Sequence, residues 1–197
     1  MEFQEWGPLA ALIGDWEGTD GLDVAYSHER EQVWETPFSE KVTMKPFGPV
    51  QNGRQILFGL DYKTAMWRGD ELNPFHTELG YWLWDAATGE VLRCFVVPRG
   101  IALVAGGTTT ADATSFTMHA GESVAPYRIA ENTYLAANAS TVRYESNITL
   151  HDDGSWSYDE VTTLRMTEIP GEFAHTDRNR LVRVSAAETA EVPELEM

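Results

Sequence analysis

Along most of this chain apolar and polar residues alternate with a period of two. The clearest run is Arg54-Gln-Ile56-Leu-Phe58-Gly-Leu60-Asp-Tyr62. Similar runs cover 77–84, 91–97, 101–105, 141–150 and 155–166. Successive strand residues point to opposite faces, so this period predicts half-buried β-strands. Turn residues separate the runs: Gln51-Asn-Gly53, Ala87-Thr-Gly89, Pro98-Arg-Gly100 and Asp152-Asp-Gly154-Ser155. Asn-Gly and Asp-Gly supply the backbone freedom of tight hairpins. Short connections between neighbours predict an up-and-down antiparallel meander. Such a meander of about eight to ten strands closes into an all-β barrel, because closure removes exposed edges. One short helical turn is expected over Pro8–Ile13, where Pro8 suits a first turn and Leu9, Leu12 and Ile13 share a face.

The chain has 197 residues, enough for one core and short for two. The expected organisation is one barrel domain over 1–184 and an acidic tail over 185–197, which holds Glu188, Glu191, Glu194 and Glu196 and no basic residue. Seven Trp, seven Tyr and eight Phe suit strands and the walls of an apolar cavity. The formal net charge is −17, a field that repels phosphates and anionic lipid, so neither a nucleic acid nor a membrane is an expected partner. Cys94 is the single cysteine, which excludes an intrachain disulfide and a cysteine zinc site. The start MEFQEWGPLA lacks the pattern of a signal peptide, and a cytoplasmic protein is the expectation. Nothing in the sequence fixes the oligomeric state.

Three stretches carry candidate chemistry. Gly14-Asp-Trp16-Glu-Gly18-Thr-Asp-Gly21 places a Trp beside bend glycines on the first strand, where it can plug one end of a barrel. Pro74-Phe-His76-Thr77-Glu78-Leu-Gly80-Tyr-Trp82 puts His76, Glu78, Trp82 and Trp84 on one strand face. Alternation alone does not say whether that face or the one with Leu79, Tyr81 and Leu83 is inside. Phe173-Ala-His175-Thr-Asp177-Arg178-Asn179-Arg180-Leu181 places a His before a closing amphipathic run. By residue type His175 is either a metal ligand or a turn histidine bonded near Asp177. His28, His119 and His151 read as solvated. No zinc-type His/Asp/Glu cluster, P-loop, dinucleotide fingerprint or nucleophile elbow is legible. Cys94, in an apolar run, reads as an inert thiol.

The His-x-Glu-x-Gly-aromatic stretch at His76, the Gly89 turn, the strands on either side of Gly100 and the late His175 together resemble the nitrobindin-like haem-binding barrels, a fatty-acid-binding-protein-like family. The resemblance implies haem b, with His175 as the proximal iron ligand and His76 on the open side. It puts Thr77, Glu78 and Trp16 in the haem-contacting set and directs His76 and Glu78 into the lumen. Arg178 and Arg180 are the nearest cations in sequence for the propionates. The implied activity is isomerisation of peroxynitrite to nitrate at ferric haem, with nitric oxide as another ligand. Two other readings fit the composition: a lipocalin-like or fatty-acid-binding-like carrier or sensor of a small apolar ligand without haem, and a filled barrel acting as an interaction module.

Overall fold

The computed structural model describes residues 3–185. Eleven strands form one antiparallel sheet: β1 (Gly14–Ser27), β2 (Gln32–Asn52), β3 (Gln55–Trp67), β4 (His76–Asp85), β5 (Glu90–Val97), β6 (Ile101–Thr108), β7 (Ser115–Gly121), β8 (Ile129–Glu131), β9 (Ala139–Leu150), β10 (Trp156–Met166) and β11 (Glu172–Ser185). Neighbouring strands pair in sequence order from β1 to β7. β7 then pairs with β9, β9 with β10, β10 with β11, and β11 returns to β1. Ten strands thus close a barrel, and β8 adds an eleventh beside β6. The all-β closed barrel is the architecture the alternation predicts.

Hairpin geometry follows the turn residues. Gly53 has φ 62° and Gly154 has φ 80°, the left-handed region that side chains with a Cβ adopt at a cost. The sequence pattern misses β2 altogether. Its 21 residues carry Pro37, Pro46, Pro49 and several charges, yet they pair along both neighbours. The helical turn starts earlier than expected and is a 3-10 helix, Gln4–Leu12, broken at Gly7. β11 runs to Ser185, the residue assigned above to the tail; the remainder of the tail lies outside the described residues.

The interior is built in three layers. At one end the 3-10 helix drives Leu9 and Leu12 into the barrel, both with no exposed surface. Trp16 Nε1 donates to Leu12 O at 2.7 Å, and Trp6 Nε1 to Gly59 O at 2.8 Å. Trp156 stands between Trp16 and Trp82 with ring centroids 6.2 and 6.4 Å away, both edge to face. Each indole buries on the order of 150–250 Å² of mostly apolar surface, so this stack is the main hydrophobic anchor of the closed end. The middle layer is polar and the third layer surrounds a pocket; both are described below.

Strand spacing at one point depends on a missing side chain. A Cβ on Gly80 of β4 would lie 1.9 Å from the Cys94 carbonyl oxygen on β5. Gly80→Ala is therefore expected to push these strands apart and cost about 1–3 kcal/mol, as overpacking does. Chemical denaturation of the variant measures this, and an unchanged midpoint would show that the ladder gives way freely.

Candidate functional site

The pocket follows from which strand positions face inward. On β4 these are Trp84, Trp82, Glu78 and His76; on β10, Trp156, Tyr158, Glu160, Thr162 and Leu164; on β11, Leu181, Asn179, Asp177 and His175. Reading each list in that order climbs from the Trp floor through a polar belt to the mouth. A bulge on β1 between Gly18 and Gly21 changes the facing of the residues beyond it. Trp16 and Asp23, an odd number of residues apart, both point inward as a result.

The polar belt centres on Arg93 of β5, whose side chain is buried. Its guanidinium donates to Glu78 Oε2 at 2.7 Å, to Tyr62 Oη at 2.9 Å, to Tyr144 Oη and to Glu160 Oε1. The Glu78 carboxyl is pushed up by burial, but the Arg93 charge and then His76 outweigh that and hold it at about 2. Glu160 is moved the other way, because burial outweighs the same Arg93 charge. A second buried acid, Glu40 of β2, accepts from Tyr158 Oη at 2.7 Å and Asn179 Nδ2 at 2.9 Å and lies 2.7 Å from Thr64 Oγ1. Burial raises it to about 7.

Above the belt lies a pocket of about 180 Å³. Met66, Phe75, Phe95, Leu103 and Leu164 give it apolar walls, and Leu135 covers it from the short helix α1 (Thr133–Asn138). Asn132 caps α1 by accepting from Leu135 N at 3.0 Å. Two imidazole–carboxylate groups face this space from strands on different sides of the barrel. On β4, His76 Nε2 lies 3.1 Å from Glu78 Oε1. Burial lowers the His76 pKa, and the Glu78 bond outweighs it, so the net direction is up.

On the other side, His175 Nε2 lies 2.6 Å from Asp23 Oδ1 and 3.5 Å from Asp177 Oδ2. Burial opposes protonation of His175, but the two carboxylates overcome it and raise the ring to about 10. His175 is therefore an imidazolium clamped between two aspartates. The sequence pattern put His175 near Asp177 but gave no sign of Asp23. The cluster is a correction to the expectation that no His/carboxylate grouping of metal-binding type exists, and also to the reading of His175 as a turn residue, since it lies within β11.

The other candidates are placed as follows. Glu78 and His76 line the pocket, as the resemblance implies. Thr77 sits on the opposite face of β4. Trp16 lies in the Trp floor, away from the pocket lining. Arg178 and Arg180 are exposed; Arg180 bonds Asp153 at 2.7 Å, and neither lines the pocket. The cation that does is Arg99, at the turn after β5. His28 is exposed near Glu168, His119 is half-exposed beside Glu145, and His151 bonds Ser157. Burial pushes the Cys94 thiol up to about 11, which keeps it protonated at neutral pH. A wider depression of about 700 Å³ crosses the outer face of β4, β5 and β6 at Leu79, Tyr81, Val96 and Val104. Its lining residues Asp61, Cys94 and Arg128 make no ion pair with one another among the described residues, whereas the lumen pocket gathers two imidazole–carboxylate groups and is the candidate site.

A closed ten-stranded antiparallel barrel with a pocket at one end is of the calycin-like class. The chain belongs to the THAP4-like, heme-binding beta-barrel domain family, whose model matches residues 5–183. Among solved structures it is similar to Rv2717c from M. tuberculosis, with a TM-score of 0.60 and 19% identity over 89% of this chain and 96% of that one. At that identity the likeness shows the fold. No curated protein sequence is matched.

The family implies haem, and two observations test its fit here. A haem iron takes a neutral imidazole, while the other ring nitrogen donates to a carbonyl or carboxylate. In this chain Nε2 of His175 is taken by Asp23 at 2.6 Å. A cavity of ~150 Å³ accommodates a benzene, and this pocket is only slightly larger. The donor set and the space do not fit a haem held by His175.

Proposed function

We propose that this barrel binds a small organic ligand, of one or two rings, in the lumen pocket between His76 and His175, as a carrier or sensor without haem. The size of the enclosed pocket carries this reading. About 180 Å³ lies below the ~300–1,000 Å³ typical of sites for drug-sized molecules. Its apolar walls supply affinity, and the two imidazole–carboxylate pairs supply donors and acceptors that orient a polar substituent.

Family membership favours a second reading. In it His175 would hold the iron of haem b, and His76 and Arg99, which line the same pocket, would be the further residues near it. The chain would then act on peroxynitrite or bind nitric oxide. His175 Nε2 would first have to leave Asp23.

Titration of the purified protein separates the two. Indole is expected to bind saturably by isothermal titration calorimetry, and haemin to give no spectrum that depends on His175. A haem spectrum lost in His175→Ala and kept in His76→Ala would establish the second reading. No saturable response to indole, with Leu135→Ala also silent, would remove the first.

A further inference from the structure

We propose that Asp23, His175 and Asp177 form a mononuclear site for a divalent transition-metal ion, set in the wall of the lumen pocket. The inference rests on the pocket reading above and adds to it the chemistry that would meet the ligand. Asp23 and Asp177 are direct cross-strand partners on β1 and β11, and His175 lies two residues before Asp177 on the same inward face. One donor atom from each residue lies within 4.8 Å of the others. The Nε2 distances of 2.6 and 3.5 Å to the two carboxylates bring the donors close enough to share one ion. All three line the enclosed pocket, and Asp23 is only 4% exposed.

The composition of the set decides the class of ion. One imidazole and two carboxylates on one face leave the remaining positions open, as in sites for divalent iron, manganese, cobalt or zinc. An all-oxygen set would suit calcium or magnesium instead. Opposed aspartates on neighbouring strands repel each other and need a cation between them. In the structure the His175 imidazole lies between them. A divalent ion held by the three donor atoms would set two positive charges against the two carboxylates. Among the described residues no Lys or Arg makes a salt bridge with Asp23 or Asp177; Arg68, stacked on Phe75, acts on Asp23 only through its charge at longer range. The open positions face the same space as His76, so a pocket ligand with an oxygen or nitrogen donor can complete the coordination.

Cobalt(II) is the probe, because its visible absorption reports an ordered nitrogen–oxygen site. The full-length protein is expected to bind one equivalent with a ligand-field spectrum. His175→Gln and Asp177→Asn are each expected to weaken binding at least tenfold, and His28→Gln to leave it unchanged. Circular dichroism confirms that the variants compared are folded, and Asp177→Glu replaces any that is not. Failure of the wild type to bind, or wild-type affinity in either variant, overturns the site. Indole titration of the same samples keeps the two readings apart. Indole bound without cobalt rejects the metal site alone, and cobalt bound without indole rejects the organic-ligand reading alone.

Discussion

Arg93→Met is expected to destabilise the protein by about 3–5 kcal/mol at neutral pH, the cost of leaving buried charges without their partner. Methionine fills a similar space, so lost packing is a small part of the effect. The main part is that Glu78 and Glu160 then face each other across the lumen with no cation between them. Glu78 would lose the interaction that holds it at about 2, and both acids would take up protons to stay buried. The loss should therefore shrink as pH falls toward 5. Adding Glu78→Gln and Glu160→Gln to Arg93→Met should restore much of the stability at neutral pH. Thermal melts at several pH values measure all of this. A melting temperature unchanged at pH 7, or a loss independent of pH, would show that Arg93 acts by packing alone.

The second large effect concerns Glu40. Its carboxyl titrates near its ordinary 4.5 in the unfolded chain and at about 7 in the barrel. Between those values the folded protein holds a proton that the unfolded chain has released. Its contribution to stability is present below about 4.5 and is lost as pH rises to about 7, amounting to about 3 kcal/mol. Glu40→Gln should remove that loss. The amide can still accept from Tyr158 and Asn179, and it can donate to Thr64, whose hydroxyl is free to donate to Lys41 O at 3.2 Å. The variant should match the wild type near pH 4.5 and exceed it in melting temperature at pH 8. Equal melting temperatures at both pH values would place the Glu40 proton on a different group.

The barrel was legible because half-buried strands and hairpin turns leave local marks. The alternation of Gln55 to Tyr62 and the Gly at 53, 89, 100 and 154 needed no knowledge of distant contacts. β2 escaped because its long course is carried by pairing on both sides, which outweighs its prolines and charges. The facing of His76 and Glu78 was ambiguous for a related reason: Leu79 and Tyr81 are apolar yet exposed on the outer wall. The His175 clamp was illegible for two physical reasons. Asp23 is 152 residues away in sequence, and the bulge between Gly18 and Gly21 alters the alternation that would place it from Trp16. Arg93, within Val91-Leu-Arg-Cys-Phe, was passed over inside an apolar strand. A lone Arg inside such a run is the signal that a buried acidic partner must exist elsewhere.

The Trp floor has a consequence for traffic. Trp16, Trp82 and Trp156 close the barrel from below, and the Arg93 belt lies above them. Among the described residues the lumen is thus a well and not a conduit: the Trp floor sets how deep a guest can settle, and Leu135 of α1 is part of the wall it meets on the way in.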